Sequence, residues 1–343
     1  MTLGADAIAH GLDAATGEEV FVTSLGGTAP AGAIGFDDVY VDAPGTSGVP
    51  CPEPVGTGRS CRWRTVVAGT TGSAVFGLDV TRPDPDGFQG RGRGACATAN
   101  PPSGCAGVYG ALLWKTPLEA GAAPTFLRTR VTVAGVASDR FLVVVGSGDA
   151  RGGRLAFLDA GSGRILFETG EGLAFGAAGA RPRPLGPLRG RISVIDTDGD
   201  GYADTLYFGD ALGQLWKMWM PPAAELLPVE SSGAAGPHIA SNAPRTWTPL
   251  LLFDGARERD GSVACTAARA SSCAPERGIA FPPAVVAEGL DPESGRSRYG
   301  IAWVTGDPRR ESSGRGRAFF LFDAPLEASP SAFVTRSLAD GSG

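Results

Sequence analysis

The sequence predicts an all-β chain, a β-propeller of four-stranded antiparallel blades with long loop insertions. Three observations carry that expectation. Gly (52) and Pro (27) are abundant among the 343 residues, and both break helix interiors. Hydrophobic residues make up 43 %, enough to bury a core, yet no segment holds a helical period beyond two turns. One pattern also recurs: a β-branched run, a Gly-rich turn, then a second run ending near Asp. Four strands per unit, repeated along the chain, is what propeller blades require.

The elements follow in order. Ala5–Thr23 reads as the last two strands of an earlier blade. Its turn, Asp13 to Gly17, matches Asp159 to Gly163. In both, Asp and Ser or Thr cap the turn and Gly supplies positive φ. The first full unit has its central pair in Trp63–Val80, flanked by Asp38–Asp42 and Ala111–Lys115. The second has Arg140–Asp159 flanked by Arg128–Val133 and Arg164–Glu168. Its run Phe141–Val145 is continuously apolar, which suits a strand buried on both faces. The third has Asp204–Met218 flanked by Arg189–Asp196 and Trp247–Phe253. The fourth has Tyr299–Asp323 flanked by Ile279–Ala287 and Phe333–Leu338. Residues 1–343 are thus expected to form a single domain of four full blades plus an N-terminal half blade. Gly69, Gly146, Gly209 and Gly306 are expected at the recurring turns. The units exceed the roughly 40–50 residues of a compact blade, and the excess lies in loops rich in Gly, Pro, Ser and Cys.

Composition narrows the function. The net charge is −6, which disfavours a nucleic-acid or anionic-membrane partner. No apolar run is long enough to span a membrane. Basic residues are almost all Arg, with Lys115 and Lys217 the exceptions, and this reads as coding bias. The six cysteines fall in local pairs, Cys51 with Cys61, Cys96 with Cys105 and Cys265 with Cys273. None has the spacing of a zinc or redox site. Three stapled surface loops in an oxidising, extracytoplasmic compartment are the expectation. Met1–His10 lacks the layout of a signal peptide, so the chain reads as part of a longer exported protein. Asp84-Pro-Asp86-Gly87 reads as a turn.

The sharpest chemistry lies in Asp196-Thr-Asp198-Gly-Asp200-Gly201-Tyr202-Ala-Asp204. So many carboxylates in one short loop repel unless a cation neutralises them. Asp196, Asp198 and Asp200 occupy positions 1, 3 and 5 of a calcium loop, and Gly201 at position 6 permits the bend. Tyr202 offers its backbone carbonyl at position 7, and Asp204 can ligate directly or through water at position 9. Hard oxygen donors on a flexible loop favour Ca²⁺. Position 12 is Tyr207, not the bidentate Glu of an EF-hand, and the flanks are strand-like. An affinity of about micromolar or poorer follows from the missing ligand.

These residues resemble the C-terminal propeller of the PilY family of type IV pilus tip-associated biogenesis factors. HGLDAATGEEVF, from His10, is similar to the family's "HAFDAxTGxE" blade end. WRTVVAGTTGSAVFGLDVTRPDP, from Trp63, resembles its "WRTVLVGGxGxGGxxxxALDVTDP" hairpin. FLVVVGSGDARGGRLAFLDAGSGRIL, from Phe141, resembles the next blade. VIDTDGDGYADTLYFGDALGQLWKM, from Val194, resembles the calcium blade "DxDxDGxxDxxYxGDxxGNLWRFD", and Phe281–Asp307 the segment after it. Where the family reads "GANDGMLHAF", this chain has GADAIAHGL. The resemblance implies a non-enzymatic protein at the pilus tip or cell surface. It implies minor pilins as partners, a calcium loop tied to pilus extension and retraction, and adhesion to host or abiotic surfaces.

Two other classes are open to a propeller with these features. A quinoprotein dehydrogenase ends its blades with "LDAxTGxxxW", but Phe21 and Phe167 stand where Trp is expected. A calcium-dependent carbohydrate-binding propeller repeats its acidic loop in several blades, whereas here the loop occurs once. Hydrolysis has little support, since His10 and His238 are the only histidines and neither lies near a nucleophile elbow.

Overall fold

Alternation of apolar side chains along consecutive strands decides how this chain packs. The computed structural model describes residues 2–3, 8–12, 14–17, 19–25, 34–42, 61–81, 111–119, 121–133, 136–149, 152–169, 174–175, 183–220, 224–226, 247–255, 278–290, 297–306, 317–323 and 336–337. Among them there is no helix. Sheet I contains β1 (Thr2–Leu3), β2 (Ile8–Leu12) and β3 (Glu19–Ser24). Sheet II is an antiparallel meander of β4 (Gly35–Asp42), β5 (Cys61–Thr71), β6 (Ala74–Asp79) and β7 (Ala111–Pro117). Sheet III continues with β8 (Thr125–Val133), β9 (Val136–Asp149), β10 (Gly152–Asp159) and β11 (Ile165–Thr169). A two-stranded ribbon, β12 (Ala174–Phe175) and β13 (Arg183–Pro184), follows. Sheet IV has β14 (Ser193–Ile195), β15 (Thr205–Gly209) and β16 (Gln214–Trp219). The chain then leaves it: β17 (Ala224–Leu226) pairs in parallel with β8, and β18 (Pro249–Asp254) returns to complete sheet IV. Sheet V is β19 (Ala284–Leu290), β20 (Ser297–Val304), β21 (Ala318–Asp323) and β22 (Arg336–Ser337).

The central strands are apolar on both faces because a sheet lies on each side. On β9, Val143 and Val145 join Val66, Ala68 and Val75 of sheet II. Leu142 and Val144, one position out of phase, join Leu206, Phe208, Trp216 and Met218 of sheet IV. The next step repeats the rule, with Tyr207 and Leu215 of sheet IV meeting Ile301, Trp303 and Leu321 of sheet V. At the other end, Phe76 and Leu78 of sheet II meet Ala9 and Leu25 beside sheet I. The sheets therefore stack in chain order, I to V. Each fully buried large side chain contributes about 1.5–3 kcal/mol of transfer free energy.

Every expected unit has its central hairpin and flanking strands, with three corrections at the edges. The opening segment forms three strands, because β1 adds to the expected two. The first strand of the third unit is only Ser193–Ile195. The residues before it bridge sheets instead: Leu188 donates its N–H to Ser147, and Pro187 accepts from Ala211. The fourth unit's first strand starts at Ala284, past Pro282 and Pro283, which cannot donate to a ladder. The glycines also differ from expectation. Gly69, Gly146 and Gly209 lie within strands. A Cβ on Gly146 would lie 2.7 Å from Leu188, and one on Gly209 would lie 2.2 Å from Ile279. They make room for a packed neighbour; they do not turn the chain. Cys61 opens β5, while the other five cysteines, Asp84, Asp86 and His238 lie outside the described residues.

Candidate metal centre

The acidic loop joins β14 to β15, and its ends are closed by Asp204 N–H donating to Ile195 at 3.1 Å. Within it the Asp side chains order the backbone as Asx turns do. The two oxygens of Asp196 accept from Gly199 N at 2.7 Å and Gly201 N at 2.8 Å. Asp198 accepts from Asp200 N, and Asp200 accepts from Tyr202 N at 2.8 Å. Gly199 and Gly201 have φ of 76° and 87°, and nothing lies within 4 Å of a Cβ built on either. Backbone conformation, not space, demands glycine there.

Carboxylate oxygens of Asp196, Asp198 and Asp204 lie within 4.8 Å of one another. Asp200 stands outside this group. Asp204 is the telling member, since it is only 4 % exposed. Its Oδ2 accepts from the Thr197 N–H at 2.9 Å and from the Thr197 hydroxyl. Its Oδ1 is buried with no hydrogen-bond partner. A buried carboxylate oxygen without a donor is costly unless something positive reaches it. The set is all oxygen and anionic, which fits a hard cation such as Ca²⁺ and not a soft one. Asp196, Asp198 and Asp204 would hold it, and the bound ion would supply the charge that these carboxylates lack. The carboxyl of Asp198 is pushed up by desolvation and then by the charges of Asp200, Asp204 and Asp196.

Tyr202 has a role that the loop pattern does not reveal. Its hydroxyl donates to Asp139 at 2.8 Å and accepts from Arg130 at 2.6 Å and Arg128 at 3.2 Å. Both guanidinium groups lie 4.6 Å from the ring centroid, a cation–π arrangement. Arg128 and Arg130 also bind Asp139, at 2.6 and 2.9 Å. Burial works against the charge of Asp139, but its bonds to Arg128, Tyr202 and Arg130 outweigh that and hold its carboxyl below the usual range. All three residues belong to sheet III. Arg128 and Arg130 share a face of β8 by the period of 2, which is visible in sequence. Their partner Tyr202 is not.

The motif that follows the loop is structural. Asp210, wholly buried, accepts from the N–H groups of Gly186, Leu212 and Gln214, each at 2.9 Å. It also accepts from Gln214 Nε2 at 2.7 Å and Trp216 Nε1 at 2.9 Å. One carboxylate thus fixes the β15–β16 turn and ties it to the segment after β13.

No protein-family model matches the chain, and no curated protein matches its sequence. Among the described residues no helix is long and apolar enough to cross a membrane.

Proposed function

We propose that the chain is a calcium-binding β-propeller module of an extracytoplasmic type IV pilus assembly and tip protein, with sheets I to V as its blades. It is not an enzyme in this reading. It supports pilus biogenesis, the balance of extension and retraction, and adhesion to host or abiotic surfaces, with minor pilins as partners. One observation carries the metal assignment: the orphan Oδ1 of buried Asp204, on a carboxylate grouped with Asp196 and Asp198. The face-to-face order of four-stranded sheets supports the propeller. The PilY-like stretches across the hairpins and the acidic loop support the pilus role.

Calorimetric titration of the chelator-treated protein tests the first part. One calcium site of about micromolar or weaker affinity is expected, lost in Asp198→Ala and Asp204→Asn. Equal binding in these variants would refute the assignment. Purified minor pilins passed over the immobilised, calcium-loaded chain test the second part. Retention of none of them would defeat the pilus reading while leaving the metal site standing.

A further inference from the structure

The acidic loop belongs to sheet IV by its strands, yet it is held from both sides by other sheets. From sheet III, Arg128 accepts the Ala203 N–H through its backbone carbonyl at 2.7 Å. The Arg128, Arg130 and Asp139 side chains enclose the Tyr202 hydroxyl and ring. From sheet V, the Tyr299 hydroxyl donates to the Thr197 carbonyl at 3.1 Å. Tyr202 and Ala203 directly precede Asp204, and Thr197 lies between Asp196 and Asp198. Each outside contact therefore lands beside a candidate ligand.

Resting on the metal reading above, we infer that the loop is a junction through which cation occupancy is transmitted to sheets III and V, with Arg128, Arg130 and Asp139 as positioning residues for Tyr202. None of the three need touch the ion. They fix the backbone on which Asp204 and the Tyr202 carbonyl sit. Groups that orient a metal ligand typically govern affinity by about 10–100-fold. Reciprocally, an ion that orders the loop must stiffen what grips it, because coupling between two sites runs both ways.

The charge of Arg130 makes the test sharp. By Coulomb's law alone, removing a nearby positive charge should strengthen calcium binding. The positioning role predicts the reverse. Arg130→Gln should weaken calcium affinity about 10-fold, and charge-neutral Tyr202→Leu should do at least as much. Hydrogen exchange supplies a second readout. Calcium should slow amide exchange around Arg128–Arg130 in the wild type and leave it unchanged in Tyr202→Leu. If Tyr202→Leu fails to fold, Arg130→Gln and Tyr202→Phe carry the same comparison, since Arg130 is half-exposed and Tyr202→Phe deletes only the hydroxyl. Wild-type calcium binding with unaltered or tighter affinity in Arg130→Gln overturns the inference alone. So does protection confined to residues 196–204. Absence of calcium binding in the wild type overturns the metal reading and this inference together.

Discussion

At Asp204, burial and charge meet with one oxygen satisfied and the other bare. Asp204→Asn removes the charge and keeps the shape. In chelator its unfolding temperature should therefore stay close to that of the wild type. The calcium-induced rise expected of the wild type should vanish, which thermal scans with and without calcium would check. A second expectation comes from Asp198, whose folded-state carboxyl is raised by desolvation and by its acidic neighbours. A carboxyl raised on folding favours the native state while it is protonated. That contribution is present below its unfolded pKa and is lost as pH rises through the folded one. Calcium bound in the proposed site would reverse the balance, because a metal binds the ionised form and competes with the proton. Calcium affinity should thus fall as pH is lowered from 7 towards the carboxylate range, and calorimetry across that range would reveal it. An affinity flat with pH would exclude carboxylate ligation. The grouping of the Asp196, Asp198 and Asp204 oxygens was legible in sequence because the acidic loop is local: its spacing alone brings them together. Arg130 and Asp139 were not, since only the packing of sheet III against sheet IV brings them to Tyr202.

In sheets II, III and V the second strand of the central hairpin ends in Asp, whereas β16 of sheet IV ends in Trp219, and the structure shows what that Asp does. Asp79 pairs with buried Arg64 across β5 and β6. Asp159 lies 3.7 Å from Arg140 across β9 and β10. In sheet V the cation comes from the neighbouring sheet, for Asp323 is 2.9 Å from Lys217 on β16 and accepts from the Tyr207 hydroxyl at 2.7 Å. The side chains of this last pair are 2 % and 5 % exposed, so the pair locks sheets IV and V. A buried pair adds little over a well-packed apolar substitute, whereas breaking one strands a charge. Lys217→Met should therefore cost about 3–5 kcal/mol in denaturant unfolding. Lys217→Met with Asp323→Leu should recover most of that. Failure of the double variant to recover would assign the lysine to packing, not to charge balance. Composition marked Lys217 only as an exception to the Arg excess and gave it no role, which its pairing with Asp323 supplies. Strands were legible where β-branched runs alternate with Gly-rich turns, as in β5–β6 and β9–β10. They were misplaced where Pro282 and Pro283 withhold N–H groups, and β17 was missed because its partner β8 is remote in sequence.

For the whole molecule, the period-2 alternation of each central strand sends one set of side chains to the sheet before and the other to the sheet after. Among the described residues, sheets II, III and IV each share core clusters with the sheets on either side; Val143 belongs with sheet II and Leu142 with sheet IV. Sheets that share cores in this way should unfold together, and the Asp196–Asp204 loop adds a polar tie across sheets III, IV and V. A ligand that binds only the native state stabilises it by about 2.7 kcal/mol at one hundred times its dissociation constant. Were the acidic loop an independent hairpin, that energy would protect a single strand pair and leave the main transition unmoved. Because the loop is gripped from both sides, calcium should raise one cooperative transition of the entire chain by several degrees. Differential scanning calorimetry in chelator and in excess calcium separates the cases. A single peak that moves is expected. Two peaks of which only the smaller moves would mean that the sheets unfold independently, and that the contacts of Tyr202 and Tyr299 do not couple them.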